Sequence, residues 1–184
     1  MLKISFTGHR PDKLGGYDWN SEKNKKIRDK LCETIIEIMT KSEEKQFHFI
    51  SGGALGIDQF AFDVVDSIAD NSDLDRICFI NELAIPFSSQ ACKWQYESAK
   101  IYEKQKSIAD ICTYVDRLDK YKIKGYEEDK YYPAKMQKRN EYMVDNADIV
   151  IAVWDGTKGG TCNCVRYAKK LGKDIVIINP KEIQ

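Results

Sequence analysis

Three loops in this chain each follow an apolar run and combine glycine with hydroxyl or basic residues, the pattern an anion requires. Ser51-Gly52-Gly53-Ala54-Leu55-Gly56-Ile57-Asp58 comes after Gln46 to Ser51 and leads into helical spacing. Glycines let backbone amides approach an anion closely, and a helix starting there adds its positive end. Asp155-Gly156-Thr157-Lys158-Gly159-Gly160-Thr161 repeats that layout after the buried run Asp148 to Trp154. There Thr161 can cap the next helix or offer its hydroxyl to a phosphate, and Lys158 can screen charge. Thr7-Gly8-His9-Arg10-Pro11 ends the first run, and Arg10 can grip a phosphate through two parallel N–H groups. His9 can stack or exchange protons near neutral pH.

Each loop alone also suits a tight turn with left-handed backbone, and Arg10 alone suits a surface salt bridge. Neither a Walker loop nor GxGxxG is present. If the strands are parallel, all three loops emerge at their carboxyl edge, where open α/β sheets bind ligands. Aspartate at Gly53 or at Gly160 is then expected to repel the anion and leave the fold intact.

Periodicity marks the strands and helices that carry these loops. Leu2 to Gly8, Gln46 to Ser51, a stretch within Arg76 to Phe87, Asp110 to Val115, Asp148 to Trp154 and Asp174 to Asn179 read as strands. Asn81 and Glu82 interrupt the third. Helical spacing runs over Glu22 to Thr40 with Ser21 as cap, Ile57 to Ala69, Gln90 to Ile108, Ala134 to Asn146, and Thr161 to Leu171 closed by Gly172. Asp116 to Pro133 has no period and is the candidate mobile loop or lid. Strands alternating with helices predict one α/β domain over 1–184, with a mostly parallel sheet and helices on both faces.

With 184 residues, 42% hydrophobic and 32% charged, the chain has the composition of a folded domain. Lys plus Arg and Asp plus Glu number 29 each, so no global field draws it to nucleic acid or to an anionic membrane. The apolar start is too short for a signal peptide or a membrane span, and a cytoplasmic location is expected. The cysteines form no CxxC pair, and Cys162-x-Cys164 has no nearby third ligand, His9 and His48 being remote. No metal and no cofactor are expected.

At Thr7 to Pro11, Ser51 to Asp58, Arg139-Asn140 and Asp148 through Pro180 the sequence resembles the SLOG superfamily. That Rossmann-like group includes the DNA-processing protein A and Lonely-guy families, and the similarity is greatest to its YpsA/YoqJ-like branch of bacterial and phage proteins. Ser51 to Asp58 is similar to the SGxAxGID stretch of DNA-processing protein A, and Arg139-Asn140 to its RN pair; by default these two would be ordinary solvated helix residues. Gly160 to Ala168 resembles the GTxxE segment of Lonely-guy phosphoribohydrolases and nucleoside deoxyribosyltransferases, whose glutamate is central to cleaving an N-glycosidic bond. Cys164 stands at that position here. A thiol does not stabilise an oxocarbenium-like centre as a carboxylate does. What the resemblance carries is therefore the phosphate-holding role of Gly159, Gly160 and Thr161.

Residues and resemblance together imply a Rossmann-like three-layer domain that binds a nucleotide or nucleotide-derived signal, as a sensor or sequestering protein. Its ligand-binding set is Gly8, His9, Arg10, Ser51, Gly52, Gly53, Gly56, Asp58, Arg139, Asn140, Asp155, Gly156, Lys158, Gly159, Gly160 and Thr161. An alternative is an N-glycosidase acting on a nucleoside monophosphate or an ADP-ribose-type ligand, with Asp58, Glu141 or Asp155 as the acid. A third reading is single-stranded DNA binding through the Lys- and Tyr-rich segment Lys120 to Lys138. Relatives of this fold often pair, so a homo-oligomer is expected.

Overall fold

The computed structural model describes residues 1–71 and 77–183. Strand β1 (Leu2–Gly8) alternates, with Ile4 and Phe6 on one face and Ser5 and Thr7 on the other. A single 3₁₀ turn at Pro11–Lys13 leads towards α1 (Glu22–Lys41), which Ser21 caps by accepting from the Asn24 amide at 3.4 Å. Ile27, Leu31, Ile35 and Met39 recur every four residues and form the buried stripe of α1. Next come β2 (Gln46–Ser51), α2 (Ile57–Asn71), β3 (Cys78–Ile85), α3 (Tyr96–Ile108) and β4 (Ile111–Tyr114). The chain continues through α4 (Pro133–Asp145), β5 (Ile149–Val153), α5 (Gly160–Lys170) and β6 (Asp174–Ile178).

All neighbouring strands are parallel, in the order β4-β3-β2-β1-β5-β6. Helices α1 and α2 cover one face around Phe6, Phe47, Phe49 and Ile151, while α4 and α5 cover the other around Ile50, Ala84 and Val150. The chain is thus the single Rossmann-like α/β domain its periodicity predicts. Strand order reverses between β1 and β5, so the loops after Gly8 and Val153 diverge to opposite faces and leave a crevice between them. No helix among the described residues is long and apolar enough to cross a membrane.

The third strand lies within the expected stretch from Arg76 to Phe87, whereas one helix start differs. The third strand starts at Cys78, and Arg76 lies outside the described residues. Its polar interruption is satisfied rather than exposed: Asn81 Nδ2 donates to the Phe62 carbonyl at 3.1 Å, and Tyr142 OH donates to Glu82, with His48 on the other carboxylate oxygen. The helix expected from Gln90 begins only at Tyr96. Between them successive turns close from Gln90 N to Phe87 O, Cys92 N to Ser89 O and Trp94 N to Ala91 O. Gln90 donates to the Gly52 carbonyl and Trp94 packs edge-on to Tyr102, and extended backbone at Gln95 then sets the helix start.

Phe49 is fully buried between Phe6 and Phe79 at the centre of the sheet. Phe49→Ala should lower the unfolding free energy by about 3–5 kcal/mol in urea titration. Exposed Ile36→Ala should change it by no more than about 0.5 kcal/mol.

Candidate functional site

The crevice between β1 and β5 opens into a cavity of about 260 Å³. Of the residues singled out in the sequence, Gly8, His9, Arg10, Asp58, Arg139, Asn140, Lys158, Gly159, Gly160 and Thr161 line it. Ser51, Gly52, Gly53, Gly56, Asp155 and Gly156 are not part of its lining. Thr7, Asp12, Lys13, Ala54, Leu55, Met136 and Thr157 line it without having been singled out. Thr7, Ala54, Leu55 and Thr157 sit inside the quoted motifs, and their neighbours' glycines were the available signal. Nothing local to Lys13 or Met136 marks them, because they arrive from the 3₁₀ turn and from α4.

The two Gly-rich loops meet at this cavity in different states. In the first, Asp58 Oδ2 accepts from the Ala54 amide at 3.3 Å and from Arg139 Nη1 at 2.9 Å. The guanidinium lies so close over Gly52 that a Cβ there would sit 1.3 Å from Arg139 Nη1. Gly53 has φ +61°, and a Cβ on it would approach the Tyr102 ring to 2.7 Å. The Ile57 amide, at the start of α2, donates to the His9 carbonyl. This loop is largely answered by the protein itself. Gly53→Asp would therefore strain the fold and is not the clean probe the sequence suggested.

The second loop is open. Gly159 is the N-cap of α5 and offers no side chain, the first turn carries no acidic residue, and Asn163 N is the first amide to bond back, to the Gly159 carbonyl. The amides of Gly160, Thr161 and Cys162 have no acceptor among the described residues. Arg10, Lys13, Arg139 and Lys158 face them against Asp12 and Asp58. The Arg10 guanidinium makes no hydrogen bond or ion pair among the described residues. Arg10 stays exposed as a residue, yet partial removal of its head from water lowers its pKa; Asp58 opposes the shift and Arg139 adds to it. Buried Arg139 keeps its Nε without an acceptor.

Asp155 shapes the loop from beneath. It receives Lys181 Nζ at 2.8 Å, the Thr157 hydroxyl at 2.6 Å and the Thr157 amide at 3.1 Å, and it lies 2.6 Å from His9 Nε2. Lys13 extends the latch by donating to Thr157 Oγ1 at 2.7 Å. Lys181 and Thr157, with a smaller share from His9, hold the carboxyl far below the usual carboxylate range. Burial pushes the Cys164 thiol up to about 11, with a hydrogen bond to Thr7 opposing it. Among the described residues no group of three or more His, Cys, Asp or Glu is placed to hold a metal ion.

Folded Asp155 binds its proton less tightly than the unfolded chain does, so the unfolded state is protonated first on acidification. Its stabilisation is intact above about pH 4 and is lost as the pH falls below that. Thermal unfolding between about pH 6 and pH 2 should show Asp155→Asn losing stability less steeply on acidification than the wild type. Parallel acid limbs would mean that the latch does not form.

The chain is 41% identical over 157 residues to the uncharacterized SPbeta prophage-derived protein YoqJ of Bacillus subtilis, a match covering 84% of this chain and 88% of that protein. It is 25% identical over 189 residues to a UPF0398 protein of Halalkalibacterium halodurans, covering 100% of this chain and 91% of that one. Its fold resembles DNA processing protein A of Streptococcus pneumoniae, with a TM-score of 0.59 at 15% identity over 97% of this chain and 50% of that one. It also resembles DNA processing protein A of Helicobacter pylori, described for its single-stranded DNA binding mode, with a TM-score of 0.57 at 18% identity over 97% and 65%. At such identities the likeness is one of fold. The YspA SLOG family matches residues 4–182, and the chain belongs to that family.

Proposed function

We propose that this protein binds a nucleotide or nucleotide-derived signal through its phosphate and holds it without cleaving it. The observation that carries this reading is the uncapped start of α5, whose free amides line a cavity also walled by an unpaired Arg10. A dianionic phosphate satisfies such amides, gains from the helix dipole and accepts two N–H bonds from Arg10. Membership of the SLOG family supports a nucleotide-type ligand.

The carboxylates considered for glycosidic chemistry are committed elsewhere. Asp58 is paired with Arg139, Asp155 with Lys181 and His9, and Glu141 with Lys138. The Cys164 thiol stays protonated at neutral pH and lies buried behind the cavity wall. For single-stranded DNA, the segment Lys120 to Lys138 offers fewer free cations than its composition suggests. Lys120, Lys122, Lys130, Lys135 and Lys138 face Asp145, Glu128, Glu127, Asp116 and Glu141 respectively.

Binding calorimetry with nucleoside monophosphates and the matching nucleosides tests the reading. Arg10→Ala should weaken the monophosphates roughly tenfold or more and leave the nucleosides within about twofold. Gly160→Asp, which has open space around its Cβ and adds a charge favourable to a helix N-terminus, should fold normally and lose the phosphorylated ligands. Equal losses for both ligand classes, or release of free base on incubation with the wild type, would overturn the proposal.

A further inference from the structure

A second cavity, of about 550 Å³, adjoins the first and shares two side chains with it, Arg10 and Met136. Its walls are dominated by rings. Phe87 is buried at the start of the loop after β3, Trp94 stands before α3, and Tyr131 and Tyr132 come from the segment 116–133 that the sequence marks as a lid. Phe87 and Tyr131 are arranged edge to face with centroids 5.9 Å apart, while Trp94 is braced edge-on by Tyr102 at 5.3 Å. Arg10 is the single charged group common to both cavities; Lys93 and Lys130 stand only in the second.

The ring-bearing segment is tied down close to the cavity. Lys135 is buried and donates to Asp116 Oδ2 at 2.8 Å and to the Glu127 carbonyl at 2.6 Å. The Ser88 amide donates to Asp129 Oδ1 at 3.3 Å, Arg117 donates to the same oxygen at 3.2 Å, and the Ser89 hydroxyl donates to the Asp129 carbonyl. Asp129 adopts left-handed backbone at φ +61°, a conformation its short polar side chain tolerates better than most. The knot on Asp129 places Lys130, Tyr131 and Tyr132 beside the Phe87–Gln90 turn, so two distant stretches of chain build one aromatic wall.

An apolar, ring-lined cavity joined through one arginine to a phosphate-suited crevice matches a ligand with an anion at one end and a flat ring at the other. We propose that the space between Phe87, Trp94, Tyr131, Tyr132 and Met136 is the ring subsite of the same ligand and takes its nucleobase. Arg10 stands in the wall shared by the two halves, where its N–H groups bond the phosphate. This inference rests on the phosphate reading above. It adds that the base, and so the discrimination between ligands, is handled by the segment 130–136 and the turn at Phe87 rather than by the Gly-rich loops.

Tyr131 is 63% exposed and can be changed without opening the core. Calorimetry of the wild type, Tyr131→Ala and Tyr131→Phe against AMP, GMP, CMP, UMP and ribose 5-phosphate separates the claims. At least one nucleoside monophosphate should bind the wild type roughly tenfold more tightly than ribose 5-phosphate, as one stacked base contributes. Tyr131→Ala should lose most of that gap with ribose 5-phosphate affinity unchanged, and Tyr131→Phe should keep it. If ribose 5-phosphate binds as well as the best monophosphate, or the gap survives in Tyr131→Ala, the ring subsite is wrong while the phosphate site stands. If none of the five binds, the phosphate reading fails and takes this inference with it.

Discussion

Arg139 reaches from α4 across the carboxyl edge of the sheet to Asp58 at the start of α2, and the 2.9 Å ion pair that forms there lies almost wholly out of water. Taking two charges out of water is costly, and a pair of this kind persists only when both are held in good geometry. Here the geometry comes from Gly52, whose missing Cβ leaves the room the guanidinium occupies, and from the Ala54 amide, which bonds the same carboxylate oxygen. The pair neutralises a carboxylate that would otherwise repel an anion from the crevice. It also closes the first Gly-rich turn, leaving the open amides on the other side of the cavity, at α5.

The second loop has the opposite arrangement. Its backbone is fastened from below by Asp155, Thr157, Lys13 and Lys181, so the start of α5 is held in place without any side chain covering its amides. In the proposed binding mode, a set of donors preorganised in this way loses little order when an anion docks. The strand reversal between β1 and β5 sets this loop across from Arg10, and α4 supplies Arg139, Asn140 and Met136 to the remaining wall.

Much of this was legible in the residues because the signals are local. Apolar runs such as Ile149–Val153 mark buried parallel strands, and glycines after them mark the turns at the carboxyl edge. The location of Arg10, His9, Arg139 and Thr161 around one cavity follows once the sheet is parallel. The different states of the two glycine loops were not legible, since Asp58 and Arg139 are 81 residues apart in the chain and only packing brings them together. The same holds for the turn at Gln90 to Gln95, where burial of Gln90 under Gly52 prevails over helical propensity. The aromatic cavity is assembled from Phe87, Trp94 and Tyr131, none of which belongs to a motif.

In the proposed binding mode the anion rests on the first turn of α5 and not on the turn between Ser51 and Asp58. Backbone amide NMR during a titration with AMP distinguishes the two turns. The amides of Gly160, Thr161 and Cys162 should shift progressively while those of Gly52 and Gly53 stay in place. Shifts confined to residues 52–56, with none at 160–162, would contradict it.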